Sequence, residues 1–81
     1  MDAMPVDLAR RLAGYEQALA DLASAGARSV SSRELARRAG VSPAALRADL
    51  ARFGRFGKGG PGYDIGYLRT RIRETLAPRS R

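Results

Sequence analysis

Helix-boundary residues divide the middle of the chain into two short helices with a tight corner between them. Ser31 and Glu34 form an S-x-x-E capping box, which starts the first of the two. Gly40 ends that helix, and Ser42 followed by Pro43 then supplies an N-cap and a proline at the first helical position of the next. Two helices of about ten residues joined in this way predict a helix-turn-helix.

Apolar residues spaced three and four apart predict one further helix on each side of this unit. The first helix of the chain follows Pro5 and ends at Gly26, and the last has Asp64 as its N-cap and ends before Pro78. Their apolar stripes are Leu8, Leu12, Tyr15, Leu19 and Leu22 in the first, and Ile65, Leu68, Ile72 and Leu76 in the last. Residues 28–31 predict one brief strand.

The glycine-rich stretch RFGRFGKGGPGYD, residues 52–64, is too flexible to be core. Gly57, Gly59 and Gly62 spell G-x-G-x-x-G, but a dinucleotide-binding turn needs a buried strand before it and a helix that begins at its last glycine. Here a helix precedes the string and Pro61 interrupts it. Two short strands joined by a glycine tip fit better, as a β-hairpin wing. The predicted fold is therefore mainly α with a small β-hairpin: a winged helix-turn-helix with about four helices.

Composition argues against catalysis and in favour of an acidic partner. The chain has no cysteine or histidine, and its eight carboxylates form no obvious pair, so an enzyme or a metal site is not expected. The net charge is +7, and fourteen of the fifteen basic residues are arginine. This balance is typical of nucleic-acid binding, although a solubility charge or an arginine-rich proteome would also produce it.

Membrane insertion and secretion are not expected. No apolar run approaches the ~18 to 20 residues that cross a bilayer. The start of the chain, MDAMPVDLARR, lacks the basic and apolar pattern of a signal peptide. The expected location is the cytoplasm.

The third helix carries the residues that best suit DNA. Its buried side is predicted to be Leu46, Leu50 and Phe53, and at about 100° per residue the opposite face has Ala44, Ala48 and Ala51. Small residues let a helix enter the major groove, and the flanking Arg47 and Arg52 can reach guanine or phosphate. The alternative is that alanine merely fills a solvated face. Asp49 lies near the core edge, where an ion pair with an arginine is expected.

The predicted wing adds basic residues and flexible backbone. Arg55 and Lys58 contribute charge, and glycines at a tip allow a close approach to a narrow minor groove. Phe56 and Tyr63 are expected to pin the wing to the core rather than to stack on bases.

Three segments, RLAGYEQAL, VSSRELARRAGVSPAALRADLARFGRFGKGGPGYD and the following YL, resemble the N-terminal winged-helix domain of the Rex family of redox-sensing transcriptional repressors. The resemblance covers roughly residues 8–77, and its most specific part is R-x-D-L followed by F-G-x-F-G-K-x-G-x-G-Y. It implies that the third helix enters the major groove and the wing the minor groove, and that a dimer binds an inverted repeat.

In the resembled family a following Rossmann domain binds NADH, which releases the DNA. The segment TLAPRSR ends about where the family's linker would lead into that domain. These 81 residues contain no βαβ unit for a dinucleotide. We therefore expect no cofactor here, and in isolation a monomer or weak homodimer.

The resemblance also implies roles for individual residues. Arg47 matches the family's base-contacting arginine, and Lys58 matches the first basic residue of the wing tip. Arg11 lies in R-L-x-x-Y, where it would be a phosphate anchor. Two positions depart from the family: Ala48 replaces a usual lysine and Gly59 a usual arginine.

Together these patterns predict a winged-helix DNA-binding domain over residues 1–78, with a frayed tail at 79–81. Its partner is expected to be double-stranded DNA. The predicted DNA-binding residues are Arg11, Arg33, Ser42, Ala44, Arg47, Ala48, Ala51, Arg52, Arg55, Lys58, Gly59 and Gly60. The alternative is a protein-interaction module that docks on an acidic partner or a full-length relative, and the two lost basic positions favour it.

Overall fold

The computed structural model describes residues 6–52 and 62–76. These residues form helices and strands in the order α1 Val6–Ser24, β1 Ser29–Val30, α2 Ser32–Ala39, α3 Pro43–Ala51, β2 Tyr63–Asp64 and α4 Ile65–Leu76. The mainly α winged helix-turn-helix predicted from the sequence is confirmed, with α2 and α3 as the helix-turn-helix.

Glycines in the left-handed conformation end α1 and α2, as predicted. Gly26 has φ 93°, its N–H donates to Ala23 O at 2.9 Å, and the N–H of Ala27 donates to Leu22 O at 3.0 Å. This is a Schellman motif, in which carbonyls of the last helical turn gain donors. Gly40, with φ 78°, ends α2 by the same type of bonding.

The predicted N-caps of α2, α3 and α4 are also confirmed. In each case a side-chain oxygen accepts a hydrogen bond from the backbone N–H three residues further on, which satisfies an orphan donor of the first turn. The pairs are Ser31 with Glu34 at 3.0 Å, Ser42 with Ala45 at 3.1 Å, and Asp64 with Tyr67 at 2.8 Å. The Glu34 carboxylate, expected to close a capping box, instead accepts from Arg37 and Arg38.

One hydrophobic core joins all four helices. α1 packs on α4 and α2, and α2 packs on α3. The fully buried large side chains are Leu12, Tyr15, Leu19, Leu35, Leu46, Leu50, Ile65, Leu68 and Ile72. The predicted apolar stripes are therefore confirmed, except that Leu76 is only half-buried at the end of α4. Phe53 and Pro78 lie outside the described residues.

The strand that follows the glycine-rich stretch pairs with the strand that precedes α2. β1 and β2 are antiparallel, with Ser29 opposite Asp64 and Val30 opposite Tyr63. Tyr63 is half-buried and packs against the core, which confirms that it pins this end of the predicted wing. The predicted tip and the predicted first strand of the wing, with Phe56, fall within residues 53–61, outside the described residues.

The approach to β2 leaves no room for a side chain at Gly62. A Cβ there would lie 2.6 Å from the carbonyl oxygen of Val30, a backbone atom that cannot rotate away. We expect Gly62→Ala to lower the free energy of unfolding by about 1 to 3 kcal/mol through overpacking. Gly14→Ala is the matched control, because a Cβ there would meet nothing within 4 Å. It should raise the free energy of unfolding by about 0.5 to 1 kcal/mol, since it removes a glycine from a helix interior.

Urea unfolding of both variants measures these changes. A Gly62→Ala protein as stable as the wild type would show that β2 does not approach β1 this closely.

Candidate nucleic-acid interface

α3 has one buried side and one exposed side. Its buried residues are Leu46, Asp49 and Leu50. Its exposed residues are Ala44, Arg47, Ala48 and Ala51. The predicted rotation of this helix is therefore confirmed, and its outer surface consists of alanine methyl groups beside an arginine.

A cluster of polar side chains, Arg11, Tyr15 and Asp49, joins α1 to α3. Arg11 donates to the two carboxylate oxygens of Asp49, from Nε at 2.7 Å and from Nη2 at 2.9 Å. The Tyr15 hydroxyl donates to the same carboxylate at 2.6 Å. Arg11 and Tyr15 are four residues apart, so they lie on one face of α1. The expected ion pair of Asp49 with an arginine is confirmed.

The cluster holds Asp49 ionised in a buried position. Hydrogen bonding from Arg11 lowers the pKa of the Asp49 carboxyl, against the opposing effect of burial. Burial and the hydrogen bond to Asp49 raise the pKa of the Tyr15 hydroxyl, which therefore stays protonated and donates. Among the described residues, no buried side-chain nitrogen or oxygen lacks a hydrogen-bond partner. A fully satisfied polar cluster of this kind fixes the rotation of α3 relative to α1.

Arg11 therefore has a structural role inside the fold, and the phosphate contact that the resemblance implied stays a prediction. Two of its nitrogens are bound to Asp49, and its side chain is 40% exposed. The four-residue spacing of Arg11 and Tyr15 predicts that they share one face of α1. Only the structure shows that this face meets the Asp49 carboxylate of α3.

Arg47 contacts the start of α2. Its Nη1 donates to Ser32 Oγ at 3.3 Å, and its side chain is exposed. Burial raises the pKa of Tyr63, and the positive charge of Arg47 partly counteracts that rise. The base-contacting candidate is therefore close to the strand that follows the predicted wing. Ser32 was missed by sequence reasoning, because the position after an N-cap has no distinguishing pattern.

The other predicted contact residues divide into those that the structure places and those that lie outside it. Arg33 is exposed in the first turn of α2, and Arg52 is exposed at the end of α3. Ser42 is exposed and caps α3 through its hydroxyl. The predicted wing contacts, Arg55, Lys58, Gly59 and Gly60, lie outside the described residues.

Some arginines of the described residues pair with carboxylates, whereas three on this surface do not. Arg37 and Arg38 pair with Glu34 at 2.6 and 2.7 Å, and Arg69 pairs with Glu16 at 3.0 Å. In contrast, within residues 6–52 and 62–76, no carboxylate pairs with any of Arg33, Arg47 and Arg52. The outer side of α2 and α3 therefore carries uncompensated positive charge next to a shallow alanine surface.

The described part of the chain has neither a candidate metal site nor a candidate membrane-spanning helix. No group of three or more acidic side chains there could hold a metal ion. None of the helices in the same residues is long and apolar enough to cross a membrane.

Comparison with known proteins relates the chain to DNA-binding repressors. Residues 3–51 match the family described as "Putative DNA-binding protein N-terminus". The redox-sensing transcriptional repressor Rex of Brevibacillus brevis is 46% identical over 67 residues, which cover 83% of this chain and 32% of that protein. Rex of Chloroflexus aurantiacus is 44% identical over 75 residues, covering 93% of this chain and 35% of the relative.

Solved structures give the same relationship. RSP, a Rex-family repressor crystallised with NAD⁺ and operator DNA, matches with a TM-score of 0.84 at 32% identity over 95% of this chain. RSP with NADH matches with a TM-score of 0.78 at 29% identity. The chain spans about a third of the length of these relatives, 36% of RSP in the DNA complex.

The Arg11, Tyr15 and Asp49 cluster predicts a specific response to mutation and to pH. Asp49→Asn should lower the free energy of unfolding by about 1.5 to 3 kcal/mol, because hydrogen bonds to a charged group are lost. Tyr15→Phe should lower it by about 1 kcal/mol, since Asp49 keeps its Arg11 partner. The folded-state pKa of Asp49 is lowered, so its stabilisation is complete above the unfolded value of about 3.9 and is lost as the pH falls through the folded value.

Urea unfolding from neutral pH to about pH 2 measures both effects. The difference in stability between wild type and Asp49→Asn should shrink at the acid end. A difference that stays constant over the whole range would contradict an ionised, buried Asp49.

Proposed function

We propose that this chain, which belongs to the family described as "Putative DNA-binding protein N-terminus", binds double-stranded DNA sequence-specifically as part of a transcriptional regulator. Its sequence and its fold are similar to those of Rex-family repressors, which supports the proposal. The proposal is supported by RSP, whose solved complex contains operator DNA. Binding, rather than catalysis, is the proposed activity, and the cytoplasm is its proposed location.

The outer surface of α3 is the single observation that carries this proposal. The exposed methyl groups of Ala44, Ala48 and Ala51 leave the helix narrow enough to enter a major groove about 12 Å wide. Arg47 projects beside them and has no carboxylate partner among the described residues, so its Nε and Nη2 donors are available to guanine O6 and N7.

We assign the remaining basic residues to the DNA backbone and the minor groove. Arg33 and Arg52 are exposed on the same two helices and suit phosphate contacts, which fix register without specifying sequence. Arg55 and Lys58, in the predicted wing, are proposed for the minor groove. Binding to an inverted repeat would need two copies, and we expect the isolated chain to be a monomer or weak homodimer.

We assign no cofactor to these residues. RSP has been solved with NADH and with NAD⁺ together with DNA, and the present chain covers about a third of that protein. We therefore propose that, in proteins such as RSP, the dinucleotide binds in the part of the chain that has no counterpart in these 81 residues.

The second candidate function is a protein-interaction module that docks on an acidic partner or a full-length relative. Ala48 favours it, because this position is exposed on α3 and carries no charge where the Rex family usually has lysine. A winged helix that has lost DNA contacts could retain its positive surface for an acidic protein.

Duplex affinity measured at several salt concentrations distinguishes the two functions. A DNA-binding chain should show log affinity that falls linearly with log salt, because phosphate contacts release counterions. Arg47→Ala should lower affinity by about 1 to 3 kcal/mol and relax preference at one base pair, if Arg47 makes a bidentate guanine contact. Lys58→Ala should weaken binding to most sequences alike and reduce the salt slope by about one.

Arg73→Ala is the matched control, since it removes the same charge from the exposed side of α4, which packs on α1 and β2. It should leave base preference unchanged. Equal, sequence-independent losses in Arg47→Ala and Arg73→Ala would show that Arg47 does not contact bases. No binding at low salt would favour the interaction module.

A further inference from the structure

We propose that Ser32 is a positioning residue for Arg47, and that it sets base specificity without contacting a base. This inference rests on the proposed function, because it assumes that Arg47 contacts DNA. It concerns a residue on α2 that the sequence patterns did not single out, and it follows from a contact between the two helices of the helix-turn-helix.

The contact joins the side chains of α2 and α3. Ser32 is the first residue of α2, and its Oγ accepts a hydrogen bond from Arg47 Nη1 at 3.3 Å. The bond holds the far end of a long, exposed side chain. Arginine has many rotamers, so an exposed guanidinium without such a bond would lose considerable freedom on reaching its target. A bond that already exists in the free protein reduces that loss.

The remaining donors of Arg47 suit a guanine contact. With Nη1 held by Ser32, the Nε–H and Nη2–H groups still form a planar fork. A guanine presents two acceptors, O6 and N7, in the major groove, and a fork binds both together. The hydroxyl of Ser32 therefore selects one orientation of the guanidinium and leaves a bidentate edge free.

The neighbouring serines of α2 have different tasks. Ser31 caps the helix, because its Oγ accepts from the Glu34 N–H at 3.0 Å. The hydroxyl of Ser32 is therefore not needed for the cap and is available for Arg47. The corner between the two helices is ordered on both sides, because the Val41 N–H bond to Ala36 O at 3.0 Å closes α2 and the Ser42 cap begins α3.

The chemistry of the acceptor also matters. Asp49 holds Arg11, and Glu34 holds both Arg37 and Arg38, so each of these carboxylates cancels one positive charge. A hydroxyl orients Arg47 but leaves its full charge to attract DNA. The start of α2 carries the positive end of the helix dipole and the nearby Arg33, which both repel a guanidinium. A hydrogen bond is therefore required to hold Arg47 near this position.

The test compares the variants Ser32→Ala, Ser32→Thr and Ser31→Ala with wild type. The probe is the duplex that the wild-type chain enriches from a random-sequence pool, together with duplexes in which each base pair of that site is substituted in turn. Ser32→Ala should reduce discrimination about two- to tenfold, the range of one net hydrogen bond, at the base pair that Arg47→Ala also affects. Its salt slope should be unchanged, because no phosphate contact is lost.

The other variants separate positioning from stability. Ser32→Thr keeps the hydroxyl and should restore discrimination. Ser31→Ala should lower the free energy of unfolding through loss of the cap, while the folded protein keeps its base preference. Ser32→Ala should have no further effect on discrimination in an Arg47→Ala background, because the two residues act as one unit.

Two results would overturn the inference alone: unaltered discrimination in Ser32→Ala, or an equal loss of affinity for every duplex, which would mean a phosphate contact. Failure of the wild-type chain to enrich any sequence would instead overturn the proposed function, and this inference with it.

Discussion

The hydrogen bonding of the buried Asp49 carboxylate is the interaction on which the proposed DNA-binding surface depends. Asp49 is the one charged residue among the buried residues that the structure describes, and Arg11 and Tyr15 of α1 supply its hydrogen bonds. A helix turns about 100° per residue, so rotating α3 by one position would turn Ala48 toward the core in place of Asp49. Such a rotation would leave a charge on α3 without its partners, which is strongly unfavourable.

The arginines of the domain differ in whether a carboxylate pairs with them, and this difference links the packing to the proposed function. Carboxylates pair with Arg11 on α1, Arg37 on α2 and Arg69 on α4, and hold these guanidinium groups near the fold. On the outer side of the helix-turn-helix, Arg47 has a hydroxyl as its partner, and Arg33 and Arg52 have no carboxylate within the described residues. The same residue type therefore stabilises the domain in one place and supplies positive potential in another. The composition gives only the net charge, +7, and does not show where on the surface the charge lies.

Local features were predictable from the sequence, and contacts between distant segments were not. The glycine stops at Gly26 and Gly40 and the cap at Ser42 depend on neighbouring residues, so the helix boundaries could be assigned from them. The partner of β2 could not, because β1 is more than thirty residues earlier and nothing local specifies the pairing. The contact between Arg47 and Ser32 spans fifteen residues and depends on the crossing of α2 and α3, which no spacing pattern encodes.

The most direct test of the central claim, that α3 is the DNA-contacting face, is a titration of the ¹⁵N-labelled chain with a duplex, followed by amide chemical shifts. Residues on the outer side of α3 should respond most, with the largest changes at Ala44, Arg47 and Ala48, and with a further response at the start of α2. The backbone around the ion pair of Glu16 and Arg69, between α1 and α4, should change little. Changes concentrated on α1 and α4, with α3 unaffected, would contradict the claim.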